Sequence, residues 1–172
     1  MRSPFLININ MKIPGTENFV VEEFFHPQIF KYLERSGVDR WRWFLHPSKN
    51  GDLPFVMEFA ILLREYTKST ITVNNWHTGG KYVGRCFRPA DYRPANGAIY
   101  SQHYLGKAID VSSDKYTTIQ LAGIVNENEV AFRSIGLTTM ENTAATPTWL
   151  HADCREPING AYPKKGFLIV NP

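Results

Sequence analysis

The chain has only two cysteines, Cys86 and Cys154, in 172 residues. That scarcity excludes a disulfide-stapled mini-fold, a closed cysteine zinc knuckle and a redox Cys-x-x-Cys pair. Both are read as small buried residues, with a disulfide between them as the alternative. A run of eighteen or more apolar residues is also missing, which excludes an ordinary membrane-spanning helix, and no membrane insertion is expected. The opening ten residues hold too short an apolar stretch, and no small-residue cleavage site, for a secretory leader. The expectation is a protein made without its own export signal. Lysine and arginine exceed the acids by 19 to 16, a formal charge of +3, but form no block, so no nucleic-acid footprint is supported. Mild attraction to an anionic surface is compatible with that charge.

What is present is enough for a core. With 43% apolar and 13% aromatic residues, and no repeat, low-complexity tract or linker, residues 1–172 read as one domain. The expected fold class is α+β, a small antiparallel sheet with flanking helices. Asn18 to Phe25 and Ile29 to Arg35 suit short helices. Pro54 to Lys68 sets Phe55, Phe59, Leu62 and Leu63 at helical spacing, with Pro54 fit for a first-turn position and Glu58, Arg64 and Glu65 available for solvent. Thr117 to Arg133 predicts one helix or two short ones. Strands are expected over Thr70 to Asn74, Ala108 to Val111, Thr148 to Asp153 and Phe167 to Val170. Between Asn75 and Tyr100 runs a long Gly, Pro, Asn and Arg-rich segment without period, of the kind that forms binding loops.

The chemistry-bearing pattern follows that loop. Ser101-Gln102-His103-Tyr104-Leu105-Gly106-Lys107-Ala108-Ile109-Asp110 is answered forty residues on by Trp149-Leu150-His151-Ala152-Asp153. His103, Asp110 and His151 supply the imidazole and carboxylate donors of a catalytic zinc site, three protein ligands with a fourth position open. A turn at Gly106 brings Asp110 back past His103. In an extended segment Trp149, His151 and Asp153 share one face. Spacing alone leaves another reading open, in which the histidines are ordinary polar residues and Asp110 caps a turn or helix.

These motifs resemble the zinc D-alanyl-D-alanine carboxypeptidase family, which shares its fold with hedgehog signalling domains and includes bacterial cell-wall peptidases and phage endolysins. Ser101, His103, Gly106, Ala108 and Asp110 fill its first motif, and His151, Asp153 and Arg155 fill the His-x-Asp-x-Arg of one branch. Ile71 to Trp76, the Arg88-Pro89 pair, and Asn18-Phe19 with Glu22-Glu23-Phe24 are similar to that branch upstream.

The resemblance implies a hedgehog/DD-peptidase-like fold, a Zn2+ cofactor, and hydrolysis of an amide bond in peptidoglycan stem peptides, as an endo- or carboxypeptidase. A phage lysis or virion-associated enzyme is implied, cytoplasmic until released or carried in the virion, and acting on the cell wall. Many relatives carry a base shortly before the last ligand, where this chain has Thr148 and Trp149. Asp153 is the first candidate for the general base, the alternative being that it orients His151 from behind. Glu141 and His77 are lesser candidates, with plain surface as their alternative. Arg88, ahead of Arg85 and Arg93, is assigned to a peptide carboxylate of the substrate or to the developing oxyanion, the alternative being a solvated loop arginine. Ser101 is assigned to substrate contact or to support of the His103 loop, and Trp76 and Trp149 to the cleft wall or the core. The competing function is a catalytically inactive zinc-containing virion or binding protein of the same fold.

Overall fold

The computed structural model describes residues 12–36, 40–92, 100–157, 160 and 162–172. Its helices are α1 (Pro27–Ser36), α2 (Phe55–Thr67), α3 (Thr118–Glu127) and α4 (Glu129–Ser134). Its strands are β1 (Ile71–Thr72), β2 (Ala108–Ser113), β3 (Thr139–Glu141), β4 (Leu150–Asp153) and β5 (Leu168–Val170). They form one sheet in the order β1-β2-β4-β3-β5, so the class is α+β.

Three of the four strand pairings are antiparallel, but β5 runs parallel to β3, which corrects the expectation of an antiparallel sheet. The reason lies in the register. Asp153, the last residue of β4, stands opposite Thr139, the first of β3. The chain leaves β4 at the end where β3 begins, and after residues 154–167 it re-enters from that end. Arg133 fixes this return by donating to the carbonyls of Pro163 and Gly166 while pairing with Glu129 at 2.6 Å.

Pleating gives the sheet two unlike faces. Ile109, Val111, Met140, Leu150 and Ala152 point into the core, where α2 and α3 cover them. Helix α2 is more enclosed than its period predicts: Val56, Met57 and Ala60 are buried with Phe55, Phe59 and Leu63, and only Glu65 of the three predicted solvent residues is exposed. The 117–133 segment divides at Asn128, whose side-chain amide donates to Ile124 O at 2.8 Å and ends α3.

The N-terminal turn Val21–Phe24 anchors the long loop. Asn74 Nδ2 donates to Glu23 O, Phe87 N to Phe24 O, and Trp76 Nε1 to Phe25 O at 2.9 Å. Glu23 itself is strained electrostatically. Burial pushes its carboxyl up from the usual 4.5 to about 7, although Oε1 accepts from Val20 N. A raised pKa means that this residue's contribution to stability is full below about 4.5 and is lost as pH rises through about 7. Glu23→Gln keeps the acceptor and removes the charge. It is expected to stabilise the fold by about 1–3 kcal/mol at pH 8 and by little at pH 4. Urea unfolding at the two pH values checks this, and an equal gain at both contradicts it.

Gly106 needs its missing side chain for two reasons. Its φ is +64°, and a Cβ there would lie 2.2 Å from Phe44 O and 2.9 Å from Leu45 Cα. Both obstacles are backbone, so neither can swing away. Gly106→Ala is expected to cost about 3 kcal/mol or more, read as a lowered midpoint in thermal or denaturant unfolding.

Candidate metal centre

The polar face of the sheet and the turn before β2 build the site together. The turn Gln102–Leu105 opens on Ser101, whose Oγ accepts from His103 N, and closes on left-handed Gly106. This aims His103 at the sheet. On the sheet, Asp110 of β2 and His151 of β4 are direct cross-strand partners. One step beyond the Met140 and Ala152 pair, Glu141 of β3 comes alongside, its Oε1 3.9 Å from His151 Nδ1. Strands β2, β4 and β3 thus set an acid, an imidazole and a second acid in one row.

His103 Nε2, Asp110 Oδ1 and His151 Nδ1 converge, with ligand atoms within 4.8 Å of one another. Asp110 Oδ1 is 3.4 Å from the first histidine and 2.7 Å from the second. The outer nitrogens of both rings are engaged elsewhere. His103 Nδ1 faces Cys86 O at 3.1 Å, and His151 Nε2 faces Asp153 Oδ2 at 3.2 Å. When each outer nitrogen donates its proton to its oxygen partner, the inner nitrogens present lone pairs to the space beside Asp110. That donor set fits a small divalent cation, with the outward hydrogen bonds fixing tautomer and ring orientation.

Charge tells the same story. Burial raises the Asp110 carboxyl, but the two histidines outweigh it and hold it well below the usual range. Burial opposes a charge on His151, yet its bonds to Asp110 and Asp153 prevail and lift its pKa to about 10. The cluster attracts positive charge, and a proton on His151 supplies it when no other cation does. His103 goes the other way: burial outweighs Asp110 and keeps its pKa low.

Asp153 is fully buried. Burial raises its carboxyl, but bonds to His151 and to Arg155, whose Nε lies 2.8 Å from Oδ2, bring it below its ordinary value. Asp153 therefore stands behind His151, away from the ligand nitrogen. Its carboxylate is absent from the cleft lining and is engaged by a guanidinium, the arrangement expected of the alternative reading, in which Asp153 orients His151 from behind. Glu141, a lesser candidate, stands instead at the inner nitrogen of His151. It lines the cleft, and desolvation raises its carboxyl despite the nearby His151. Its signal in sequence was weak, because β3 is a three-residue strand with no alternation to betray it.

The centre opens into a cleft of about 740 Å³. Arg88 and Ser101 both line it and bond to each other, Arg88 Nη2 donating to Ser101 Oγ at 3.0 Å. Arg85 and Trp149 line it as well. Trp76 does not, which corrects its place as a substrate contact: it packs against Phe30 at 5.7 Å with its indole N–H committed to Phe25 O. His77 sits edge-on to Trp76, outside the cleft lining. Arg93 lies outside the described residues. Both cysteines are free and buried, and burial pushes the Cys154 thiol up to about 12 and raises Cys86 further still.

The long loop contributes through its backbone. Arg85 O accepts from Asp110 N at 2.7 Å while Cys86 O accepts from His103, so two consecutive carbonyls steady two of the three converging residues. No protein-family model, curated protein or solved structure matches the chain. Among the described residues no helix is long and apolar enough to cross a membrane.

Proposed function

We propose that the protein is a zinc-dependent peptidase that hydrolyses an amide bond of the peptidoglycan stem peptide, in the manner of phage lysis or virion-associated enzymes with the hedgehog/DD-peptidase-like fold. The convergence of His103, Asp110 and His151 at the floor of an open cleft, with Glu141 beside them, carries this reading. The motif resemblance at Ser101 to Asp110 and His151 to Arg155 supplies the substrate class. A bound zinc would provide Lewis acidity and ease the deprotonation of water.

The chain's own residues divide the remaining work. Glu141 takes the proton of the attacking water and returns it to the leaving amine, a role for which a partly desolvated carboxylate is suited. Arg88, steadied by Ser101, offers guanidinium donors to the developing oxyanion. Asp153 and Arg155 hold His151 in register from behind.

The test is incubation of zinc-loaded protein with purified peptidoglycan. New amine termini are expected, and removal of zinc by a chelator abolishes them. Stoichiometric zinc without any cleavage would favour the binding-protein alternative.

A further inference from the structure

Two arginines in the cleft lack the partners that burial normally demands. Arg85 is 9% exposed and Arg88 8%. A desolvated guanidinium is costly unless a carboxylate lies against it, and among the described residues neither has one within ion-pair distance. Arg88 reaches only neutral acceptors, Gly84 O at 2.9 Å and Ser101 Oγ at 3.0 Å, and its Nε is buried with no acceptor. Arg85 donates through Nη1 to Ser112 Oγ at 2.7 Å and lays its guanidinium 3.4 Å from the Tyr82 ring centroid. Arg155, in contrast, is neutralised by Asp153. Asp110, the acid nearest in influence to Arg85, is already shared between two histidines. One region of the cleft lining therefore carries two positive charges on neutral supports, with Lys81 beside them.

We propose that this region is a carboxylate subsite in which Arg85, stacked on Tyr82 and tethered by Ser112, binds an acidic group of the substrate close to the scissile bond. Stacking and the tether pre-orient a planar fork that a carboxylate can engage through paired hydrogen bonds. Arg88 adds positive charge from the cleft floor. The identity of the carrier, an acidic stem peptide, rests on the peptidase reading; the subsite itself rests on two buried arginines that have no carboxylate against them among the described residues.

Binding is measured by calorimetry on zinc-loaded Glu141→Gln protein. The probes are a synthetic stem tetrapeptide with free carboxylates and the same peptide fully amidated. The free acid is expected to bind about tenfold or more tightly than the amide. Arg85→Met in that background removes the preference while the amide's affinity and the zinc stoichiometry stay as they were, and Arg85→Lys keeps part of it. Equal affinity for the two probes, or a preference that survives Arg85→Met, overturns the proposal. So does an equal loss for both probes, which marks a structural role. If Arg85→Met does not fold, Ser112→Ala serves, since it leaves the guanidinium but cuts its tether: the preference shrinks, and an unchanged preference overturns the subsite. Hydrolysis by the wild type is followed separately. Carboxylate preference without cleavage removes the peptidase and leaves the subsite, whereas cleavage indifferent to carboxylates does the reverse.

Discussion

Glu141→Gln is expected to lower kcat on peptidoglycan by about 10²–10⁴-fold, the range associated with loss of a general acid–base group, while zinc binding and thermal stability stay close to wild type. The substitution is nearly isosteric and removes only the capacity to carry a proton. Glu141 is not one of the three converging ligands, so the ion's donors remain. Its Oε1 nevertheless stands 3.9 Å from His151 Nδ1, close enough to meet a water drawn to the same centre. KM is expected to change little, because the interaction lost belongs to the transition state. Glu141→Asp, which withdraws the carboxylate by one methylene from the same strand, is expected to fall between the two. Single-turnover and steady-state rates with matched zinc content make the comparison. Activity within a few-fold of wild type in Glu141→Gln would remove this residue from the chemistry and return the search for a base to the other groups of the cleft.

The difference between Glu141 and Asp153 also shows what could be read from sequence. Alternation along Thr148 to Asp153 puts Trp149, His151 and Asp153 on one face; the strand begins only at Leu150, and within it His151 and Asp153 do meet, while the turn at Gly106 returns Asp110 to His103. Those are local properties, fixed by the period of a strand and the permissiveness of glycine. What lies behind or in front of that face is set by other strands. Only the Thr139 to Asp153 register brings Glu141 alongside His151, and only the partnership with Arg155 turns Asp153 into a buried support. The parallel direction of β5 was hidden for the same reason, since it depends on which end of the sheet the chain leaves. Backbone contributions are less visible still. The carbonyls of Arg85 and Cys86 steady Asp110 and His103 whatever side chains those residues carry, so no pattern of residue types announces them. Trp76 erred in the opposite direction: an aromatic near a binding loop satisfies cleft and core alike, and here the N-terminal turn captured its indole.

Removal of His151 is expected to produce the largest loss of stability. In the metal-free protein this ring, with its pKa lifted to about 10, is the cation between Asp110 at 2.7 Å and Asp153 at 3.2 Å. His151→Ala leaves both acids in place. Asp153 keeps Arg155, but Asp110 is left with His103, whose own pKa burial holds down, so a mostly enclosed carboxylate loses the nearer of its two imidazole partners. Stripping one member from a buried charge pair costs about 3–5 kcal/mol, and that loss is expected in urea unfolding of the metal-free variant. The zinc response disappears too. Wild type is expected to gain thermal stability on adding zinc, because an ion that binds only the folded site shifts the equilibrium toward it, whereas His151→Ala melts at the same temperature with and without it. Asp153→Asn provides the graded comparison. It preserves the shape behind His151 and weakens the acceptor for its Nε2–H, so zinc affinity falls by about 10–100-fold without vanishing. This ordering, with alanine at the ligand abolishing the response and asparagine behind it attenuating the response, distinguishes a metal centre from a buried polar network. A polar network would be destabilised by both substitutions and respond to zinc in neither the wild type nor the variants.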